Sequence, residues 1–381
     1  MASKTPPQLS PVDELAALLR PACGGLYLVS TGRSEQLELQ RRLYGADDEA
    51  QVQERWRLAL AGIVNAKAVI LGMPTDIGAS FRRGANLGPQ ALRSAWLDAD
   101  TEWPERAAEL GVIDIGDVFC VPQLLHDEML SEHQRNQSQR ALYPDLDPAI
   151  AATLPVSPLS SAERALDLIF ALNPDVRPLV LGGDHSIAWP VSAALARSRR
   201  DRWGIVQPDA HTDLLAERLG VRYCFATWSY HANDLLGRDG RMVQVGIRAS
   251  QRDQEHWQNT LGVRQFWAAE CLADPSASLD AILKHLRERG VQSVYFSNDI
   301  DGTDARFADA TGTPEPNGLE PDFVVELIRR LGAEIGICAG DLVELAPPLG
   351  ESAESREQSV RLGLRYVRET LAAMLGKAVD K

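Results

Sequence analysis

The stretch RWGIVQPDAHTD, residues 202 to 213, places an apolar run directly before three ionisable side chains. Such a short, nearly uncharged run is typical of a strand buried on both faces of a parallel sheet. Asp209, His211 and Asp213 then follow at every second position. Residues two apart on an extended chain point to one side, so these three side chains can converge. The stretch therefore predicts a buried strand that ends in a polar site.

Six further apolar runs of this kind occur along the chain, at residues 67–74, 109–117, 177–184, 241–248, 291–299 and 334–345. Helix-like segments lie between them, such as SSAERALDLIFALN and PDFVVELIRRLGA. Strands that alternate with helices form a mostly parallel sheet that is covered on both faces. We expect an α/β protein, a three-layer α/β/α sandwich whose central sheet has about eight strands.

The first sixty residues differ in character from the rest. They begin with a Pro-rich segment and continue with the helix-like SPVDELAALLR and a strongly charged stretch. Ser10 and Pro11 stand where a helix N-cap and a first helical turn are expected. We predict a helical N-terminal extension over residues 1–60 and one α/β domain over residues 61–381.

The composition disfavours several classes of partner. The formal net charge is −14, with 45% hydrophobic and 24% charged residues. This acidity disfavours nucleic acid and anionic membranes as partners, and it is permissive for a cationic ligand. No apolar run reaches the length of a membrane span, and the N-terminus lacks the basic-then-apolar layout of a secretory signal. We expect a cytoplasmic protein with no nucleic-acid or membrane partner.

Two other predicted strands also run into ionisable side chains. RPLVLGG leads into Asp184 and His185, and VQSVYFSN leads into Asp299 and, two positions later, Asp301. Ligands of open parallel sheets gather beyond the carboxyl ends of the strands. The carboxylates that meet there would repel one another and lose solvation, so the cluster needs a counter-charge. A divalent metal is the simplest counter-charge.

Six side chains suit two divalent ions if two of the carboxylates bridge them. The candidates are His185, Asp209, His211, Asp213, Asp299 and Asp301. The five cysteines are far apart, without a C-x-x-C pair, which argues against a disulfide framework and a thiolate zinc site. Oxygen and imidazole ligands favour Mn²⁺, Fe²⁺, Co²⁺, Ni²⁺ or Zn²⁺. The ligand types leave the choice among these ions open.

Three motifs resemble the signatures of the ureohydrolase family, which includes arginase, agmatinase, guanidinobutyrase and formimidoylglutamase. They are LGGDHSI (181–187), DAHTD (209–213) and SNDIDGTDARFADATGTPEPNGL (297–319). GMPTDIGASFRRGANLGPQALR (72–93) and GDLVEL (340–345) are also similar to family segments. The likeness runs from about residue 60 to the C-terminus, and it implies that residues 61–381 form a single catalytic domain with the arginase-like fold.

The resemblance also implies a binuclear site, usually of manganese. Asp209 and Asp299 would bridge the two ions, His185 and Asp213 would complete one, and His211 and Asp301 would complete the other. A hydroxide between the ions would hydrolyse a guanidino group to urea and an amine, in a protein that assembles as trimers or hexamers. Glu344 falls where relatives place the carboxylate that grips the guanidinium. Asp213 is our first candidate for orienting the hydroxide and carrying a proton to the leaving nitrogen.

The chain departs from the family pattern after the second motif. Many agmatinase-like relatives carry a His-Gly pair at the positions of Phe225 and Ala226. We predict that Phe225, Thr227 and Trp228 line the substrate site, where an aromatic ring can stack against a small planar cation. The third motif also differs, because its usual Asp-Pro-x-x-x-Pro-Gly is DARFADA at residues 304–310.

These departures resemble the guanidine hydrolase branch of the family, in which nickel is associated with activity. We expect a hydrolase of guanidine or a small alkylguanidine that holds two divalent ions, Ni²⁺ or Mn²⁺. Guanidinobutyrate and agmatine are the next candidate substrates. A competing hypothesis from another class is a catalytically silent subunit on the same fold. Metal content and urea release distinguish the two hypotheses.

Overall fold

The computed structural model describes residues 9–26, 28 and 30–379. Within these residues one sheet has nine strands, in the spatial order β1-β3-β2-β4-β9-β8-β5-β6-β7. The strands are β1 Leu19–Arg20, β2 Ala68–Met73, β3 Val112–Val118, β4 Arg177–Gly182, β5 Trp203–Pro208, β6 Met242–Ile247, β7 Arg264–Trp267, β8 Ser293–Asp299 and β9 Ile337–Val343. All neighbours pair in parallel except β1 and β3. The predicted mostly parallel sheet is confirmed.

Helices connect the strands and cover the sheet. The α-helices of the described residues are α1 Pro11–Leu18, α2 Arg33–Tyr44, α3 Glu49–Gly62, α4 Gly88–Ala99, α5 Trp103–Leu110, α6 Glu132–Leu142, α7 Pro148–Ala151, α8 Pro158–Leu172, α9 Ala188–Ser198, α10 Trp228–Leu235, α11 Gln254–Leu261, α12 Ala268–Ala273, α13 Pro275–Glu288, α14 Pro321–Glu334 and α15 Ala353–Leu375. Many begin with a side-chain cap or a proline in the first turn, as in α1, where Ser10 accepts from the Asp13 N–H.

The side chains of the central strands alternate between two hydrophobic cores. Val69 and Leu71 of β2 lie in one core, whereas Ile70, between them, lies in the other. This alternation is what a strand buried on both faces requires, since successive side chains point to opposite sides. One core sits beneath α8 and α9, and the other beneath α14 and α15. The three-layer α/β/α architecture is thereby confirmed.

Helices of the predicted N-terminal extension pack into the α/β domain. Leu15 and Leu18 of α1 and Trp56 of α3 are buried in the first core. The Trp56 indole N–H donates to the Ile115 carbonyl of β3 at 2.8 Å, and β1 pairs with the outer side of β3. These residues therefore cover one edge and one face of the sheet.

Two smaller expectations concern the cysteines and the membrane. All five cysteines lie in the described residues, and each is buried and free of a disulfide. Among the described helices, none combines the length and the apolar character that crossing a bilayer requires.

The position of the polar strand ends follows from the strand order. β4, β9, β8 and β5 are consecutive neighbours in the sheet, although they are far apart in sequence. Each pairing among them is parallel, so their carboxyl ends lie at the same edge. The residues that follow these four strands therefore meet.

Candidate metal centre

The first group of candidate ligands surrounds His185, which follows β4. Its Nδ1 lies 3.2 Å from Oδ2 of Asp209, 3.2 Å from Oδ2 of Asp213 and 3.0 Å from Oδ2 of Asp299. All four side chains are buried. Three carboxylate oxygens from two other strand ends thus converge on one imidazole nitrogen.

The second group shares Asp209 with the first. His211 Nδ1 lies 3.1 Å from Asp301 Oδ2 and 3.7 Å from Asp209 Oδ1. Each group offers ligand atoms within 4.8 Å of one another, the first from His185, Asp209 and Asp213 and the second from Asp209, His211 and Asp301. The structure therefore brings all six predicted ligands together, with Asp209 facing both groups.

The donor set fits divalent metal ions. Nδ1 of His185 is buried and faces three carboxylate oxygens, but it makes no hydrogen bond of good geometry with any of them. A metal ion bound to its lone pair would satisfy such a nitrogen. Buried carboxylates likewise require a partner of positive charge. Imidazole and carboxylate ligands without thiolate suit Mn²⁺, Ni²⁺ and related ions.

The crowding of charges shifts the pKa values of the ligands. Burial lowers the pKa of His185, but the carboxylates around its ring outweigh burial and raise that pKa well above its ordinary value. Burial, followed by the charge of Asp209, raises the pKa of Asp213 to about 6. Burial and the charge of Asp301 raise the pKa of Asp299 well above its ordinary range. The cluster therefore has a strong affinity for positive charge, whether protons or metal ions.

Glu344 follows β9 and approaches His185 from another strand end. Its backbone φ is 60°, in the left-handed region that a residue other than glycine rarely adopts. The backbone N–H of His185 donates to Glu344 Oε1 at 2.9 Å. Burial, followed by the charge of Asp184, raises the pKa of Glu344 well above its ordinary value. One oxygen of this carboxylate is thus tied to the protein, and the other, Oε2, is available to a ligand.

Trp228 occupies a different place from the predicted stacking position. It is fully buried, its ring centroid lies 4.6 Å from that of His185, and its indole N–H donates to Asp213 Oδ2 at 3.0 Å. A fully buried ring offers no face to a substrate. Trp228 therefore contacts two of the candidate metal ligands and supports them from the interior side.

Phe225 and Thr227 lie in the turn that leads into α10. Thr227 is fully buried, and its hydroxyl accepts from the Cys224 N–H at 2.9 Å, so it stabilises the turn. The Phe225 ring is partly exposed and lies beneath the guanidinium of Arg218, 5.0 Å from its centre. Of the predicted substrate-binding residues in this turn, only Phe225 presents a ring surface toward solvent, and its role in substrate binding stays a prediction.

Comparison with known proteins shows the family to which the chain belongs. Residues 66–373 match the model of the arginase family. The chain belongs to the arginase family. The resemblance to the ureohydrolase family, the arginase-like fold and the hydrolase class are thereby confirmed.

Several proteins of known name are similar to this chain over most of its length. The chain is 31% identical over 319 residues to guanidinobutyrase from Pseudomonas aeruginosa, covering 81% of this chain and 86% of the relative. It is 31% identical over 289 residues to the mitochondrial guanidino acid hydrolase of Homo sapiens, covering 74% and 72%. The crystal structure of proclavaminate amidino hydrolase from Streptomyces clavuligerus superposes with a TM-score of 0.59 at 27% identity, covering 81% of this chain and 92% of that one.

The arginase-family core of this chain holds His185 through a chain of polar groups. His185 Nε2 lies 3.0 Å from the Ser297 hydroxyl, which donates to Asp341 at 3.1 Å. The Tyr295 hydroxyl also donates to Asp341, and all three supporting residues are buried. A partner on Nε2 fixes the ring and directs Nδ1 toward the carboxylates.

A single arginine ties the third motif to the second. The Arg248 guanidinium donates to the carbonyls of Asp301 at 2.6 Å, Glu315 at 2.8 Å and Pro316 at 3.0 Å. Its backbone N–H donates to the Ala210 carbonyl at 3.0 Å, between two of the ligands. Arg248 thus holds the segment of Asp301 against the segment of Asp209 and His211.

The backbone at Gly302 lies directly against the backbone of Asp209, which brings Asp301 close to the other ligands of the second group. A Cβ on Gly302 would lie 2.7 Å from the backbone nitrogen of Asp209, which is closer than Cβ atoms approach other atoms in proteins. Only glycine permits the turn after β8 to lie directly on the end of β5. From farther along the same motif, the Thr313 hydroxyl donates to Asp301 Oδ2 at 3.0 Å.

The sequence reasoning missed these supporting residues and also Gln207, whose amide N–H donates to Asp209 Oδ2 at 2.7 Å, although a signal was available for three of them. Gln207 and Ser297 each stand two positions before a ligand aspartate, so they share a side of the strand with that ligand. Polar residues inside an otherwise apolar strand are informative, because they need buried partners. Asp341 carried the same kind of signal, because it stands inside the apolar strand ICAGDLV. Arg248 carried none, since it follows its strand and its partners come from distant segments.

Proposed function

We propose that this protein is a two-metal hydrolase that cleaves guanidine or a small alkylguanidine to urea and ammonia or an amine. The observation that carries the proposal is the convergence of six imidazole and carboxylate ligands beside the free oxygen of Glu344. The matched relatives named guanidinobutyrase and guanidino acid hydrolase support a guanidino substrate.

The charge of the site favours a cation. Four ligand aspartates, two divalent ions and a hydroxide sum to about −1, and an ionised Glu344 brings the sum to about −2. A guanidinium stays protonated near neutral pH, and a carboxylate accepts its N–H groups in plane. Glu344 Oε2 would accept such a donor and so hold the substrate next to the ligands.

The chain's own residues would position the reactants and move a proton. Two divalent ions in the cluster would supply an activated water and stabilise the developing negative charge. Asp213 would orient the nucleophile and carry a proton to the leaving nitrogen.

Limited access supports a compact substrate. Of the six ligands and Glu344, only His211 is more than a tenth exposed, at 29% of its side chain. No histidine stands at the position of Phe225, so the site would act without the proton-transfer group that many agmatinase-like relatives carry there. A small cation needs less open space beside the ligands than a substrate with a long tail.

Guanidinobutyrate is the second candidate substrate, because a relative named guanidinobutyrase is 31% identical, as is a second relative named guanidino acid hydrolase. Its anionic tail would require a basic partner near the site. Arg218, stacked on Phe225 at 5.0 Å, is a suitable one. If guanidinobutyrate is the substrate, Arg218→Ala raises its KM and leaves hydrolysis of guanidine unchanged.

The choice between Ni²⁺ and Mn²⁺ is part of the proposal, and either ion suits imidazole and carboxylate ligands. We propose nickel first, because the departures from the family pattern resemble the guanidine hydrolase branch. Metal content of protein produced with each ion, measured alongside activity, tests the choice.

We also propose a homo-oligomer, a trimer or hexamer. Leu219 is 97% exposed and Phe81 is 86% exposed, and large exposed apolar side chains are candidates for burial between subunits. Light scattering coupled to size exclusion measures the state, and a monomer contradicts this part of the proposal.

We also propose that the protein is located in the cytoplasm. Five free, buried cysteines suit a reducing compartment. Fractionation of cells that express the tagged full chain tests it.

The deciding experiment is a urea-release screen with Mn²⁺ and Ni²⁺ in parallel, across guanidine, methylguanidine, guanidinobutyrate, agmatine and arginine. We expect the highest kcat/KM for guanidine or methylguanidine. Asp209→Asn should abolish urea release, whereas the exposed-site control Asp322→Asn should not. A clear preference for agmatine or arginine would reject the substrate while the metal site stands.

The silent-subunit hypothesis makes a different prediction. It expects oligomerisation without urea release from any guanidino compound, even in protein that contains two ions per chain. Measuring metal content in the same samples separates an inactive fold from an enzyme that lacks its metal.

A further inference from the structure

Three glutamines stand directly opposite one another on neighbouring strands beside the metal centre. Gln207 of β5 is the register partner of Gln244 of β6, and Gln244 is the partner of Gln265 of β7. All three are buried in the sheet. We refer to Gln207, Gln244 and Gln265 as the glutamine ladder. Polar side chains in a buried parallel sheet are unfavourable unless each finds a partner.

The glutamine ladder is hydrogen-bonded from end to end. The Trp267 indole N–H donates to Gln265 Oε1 at 3.0 Å, and Gln265 Nε2 donates to Gln244 Oε1 at 2.8 Å. Gln244 Nε2 donates to Gln207 Oε1 at 2.9 Å, and Gln207 Nε2 donates to Asp209 Oδ2 at 2.7 Å. The chain thus runs across three strands and ends on the aspartate that faces both groups of ligands.

The two ends fix the direction of every amide between them. An indole N–H is a donor only, so Gln265 must present its oxygen to Trp267. An ionised carboxylate is an acceptor only, so Gln207 must present its nitrogen to Asp209. Both requirements give every amide of the ladder the same orientation, with its nitrogen on the side of Asp209 and its oxygen on the side of Trp267. Further bonds agree, because the Ser229 hydroxyl donates to Gln207 Oε1 at 2.6 Å and Gln244 Nε2 also donates to the Thr212 carbonyl.

We propose that the glutamine ladder is a positioning device that holds the Asp209 carboxylate in the orientation that two metal ions require. Aligned amides polarise one another, so the donor at the end of such a chain is stronger than a lone amide. Oδ2 of Asp209 receives this donor and also lies 3.2 Å from His185 Nδ1. The ladder therefore fixes the carboxylate at the oxygen that faces the first group. This inference rests on the proposed two-metal function.

The test compares metal binding by the full-length wild type and three variants, each stripped of metal and titrated with Mn²⁺ or Ni²⁺ against a competing chelator. Gln207→Met removes the donor to Asp209. Gln265→Met removes the hydrogen bonds of a residue on β7, two strands from β5, whose side chain contacts no candidate metal ligand. Gln139→Met is the matched control, because Gln139 is also buried and bonds two carbonyls, those of Ala152 and Leu154, outside the ladder.

We expect Gln207→Met to weaken metal binding about tenfold, the lower range for partners of metal ligands. Gln265→Met should weaken it about two- to threefold, in line with moderate coupling along the chain. Gln139→Met should lower the unfolding temperature without changing metal affinity. Excess metal should restore urea release in the Gln207 and Gln265 variants, which a loss of folded protein would not allow.

The outcomes separate the two proposals. If the wild type binds two ions and Gln207→Met binds them equally well, the ladder inference is wrong and the proposed function stands. Equal weakening by Gln139→Met would also overturn the inference, since the effect would then be one of general stability. If the wild type binds no divalent ion, both proposals fail.

Discussion

Trp228 and Asp213 are joined by a hydrogen bond of 3.0 Å from the indole N–H to Oδ2, the oxygen that lies 3.2 Å from His185 Nδ1. Asp213 itself has a backbone φ of 51°, and a strained backbone of this kind persists only where its surroundings hold it. Trp228 is part of those surroundings.

Replacing Trp228 by phenylalanine tests this role. Trp228→Phe keeps an aromatic ring beside His185 but removes the donor to Asp213. We expect a fall of about tenfold in affinity for the metal of the first group, measured by chelator competition. Trp189→Phe is the matched control, because its indole N–H donates to the Glu163 carboxylate at 2.9 Å away from the site. Equal metal affinity in both variants would contradict the role.

The metal-stripped protein should lose stability as the pH rises. Burial and Asp209 raise the pKa of Asp213 from 3.8 to about 6 in the folded state, so the folded state binds this proton more tightly than the unfolded state. The resulting stabilisation is present below pH 4 and is lost as the pH passes 6. The loss is at most about 3 kcal/mol, measured by urea unfolding in the presence of a chelator.

Metal should reverse this trend. Because ions compete with protons for the same ligands, affinity for Mn²⁺ should rise with pH between 5 and 8, and binding should release protons. Calorimetry in buffers of different ionisation enthalpy measures the released protons. A metal affinity independent of pH would contradict the pKa assignment. Asp213→Asn should remove part of the pH dependence of the stripped protein.

Arg248 should act on one metal position more than on the other. Arg248→Met removes the donors to the carbonyls of Asp301 and Glu315 and so loosens the second group. The proposed site holds about two ions per chain, and we expect the metal content of this variant to fall toward one. Elemental mass spectrometry measures that content. Arg241→Met is the matched control, because Arg241 also donates to backbone carbonyls, at Trp203 and Leu236, away from the site.

Glu344→Gln should weaken substrate binding while sparing the metal. The amide oxygen can still accept from the His185 N–H, so the local backbone is preserved, but the negative charge is lost. Charged hydrogen bonds are roughly twice as strong as neutral ones, and we expect kcat/KM for guanidine to fall about 100-fold, or ~3 kcal/mol. An unchanged KM and kcat with full metal content would show that Glu344 does not touch the substrate.

Much of the fold and of the candidate metal centre could be predicted from sequence because both depend on local patterns. Apolar runs that alternate with helical segments specify a covered parallel sheet. Spacings of two, as in Asp209, His211 and Asp213, place side chains on one side of an extended chain without knowledge of the fold. Five of the six candidate ligand positions follow from such spacings at the ends of predicted strands, and His185 follows from the resemblance of LGGDHSI to a family motif.

Trp228 and the glutamine ladder could not be predicted in this way. Whether Trp228 stacks on a substrate or supports Asp213 depends on which side of α10 faces the sheet, and the sequence pattern of that short helix does not determine it. The glutamine ladder depends on register, since Gln207, Gln244 and Gln265 face each other only because three strands pair as they do. Register between distant strands is fixed by the packing of the whole sheet.

The amino-acid sequence by itself determined which groups could bind metal and that they stand at strand ends. Only the tertiary structure decided that β4, β9, β8 and β5 lie side by side, so that these groups share one site. The physical reason is that side-chain chemistry and alternation are properties of a few neighbouring residues. Strand order and the burial of each supporting group are properties of the packed molecule, in which residues more than a hundred positions apart satisfy one another's charges and hydrogen bonds.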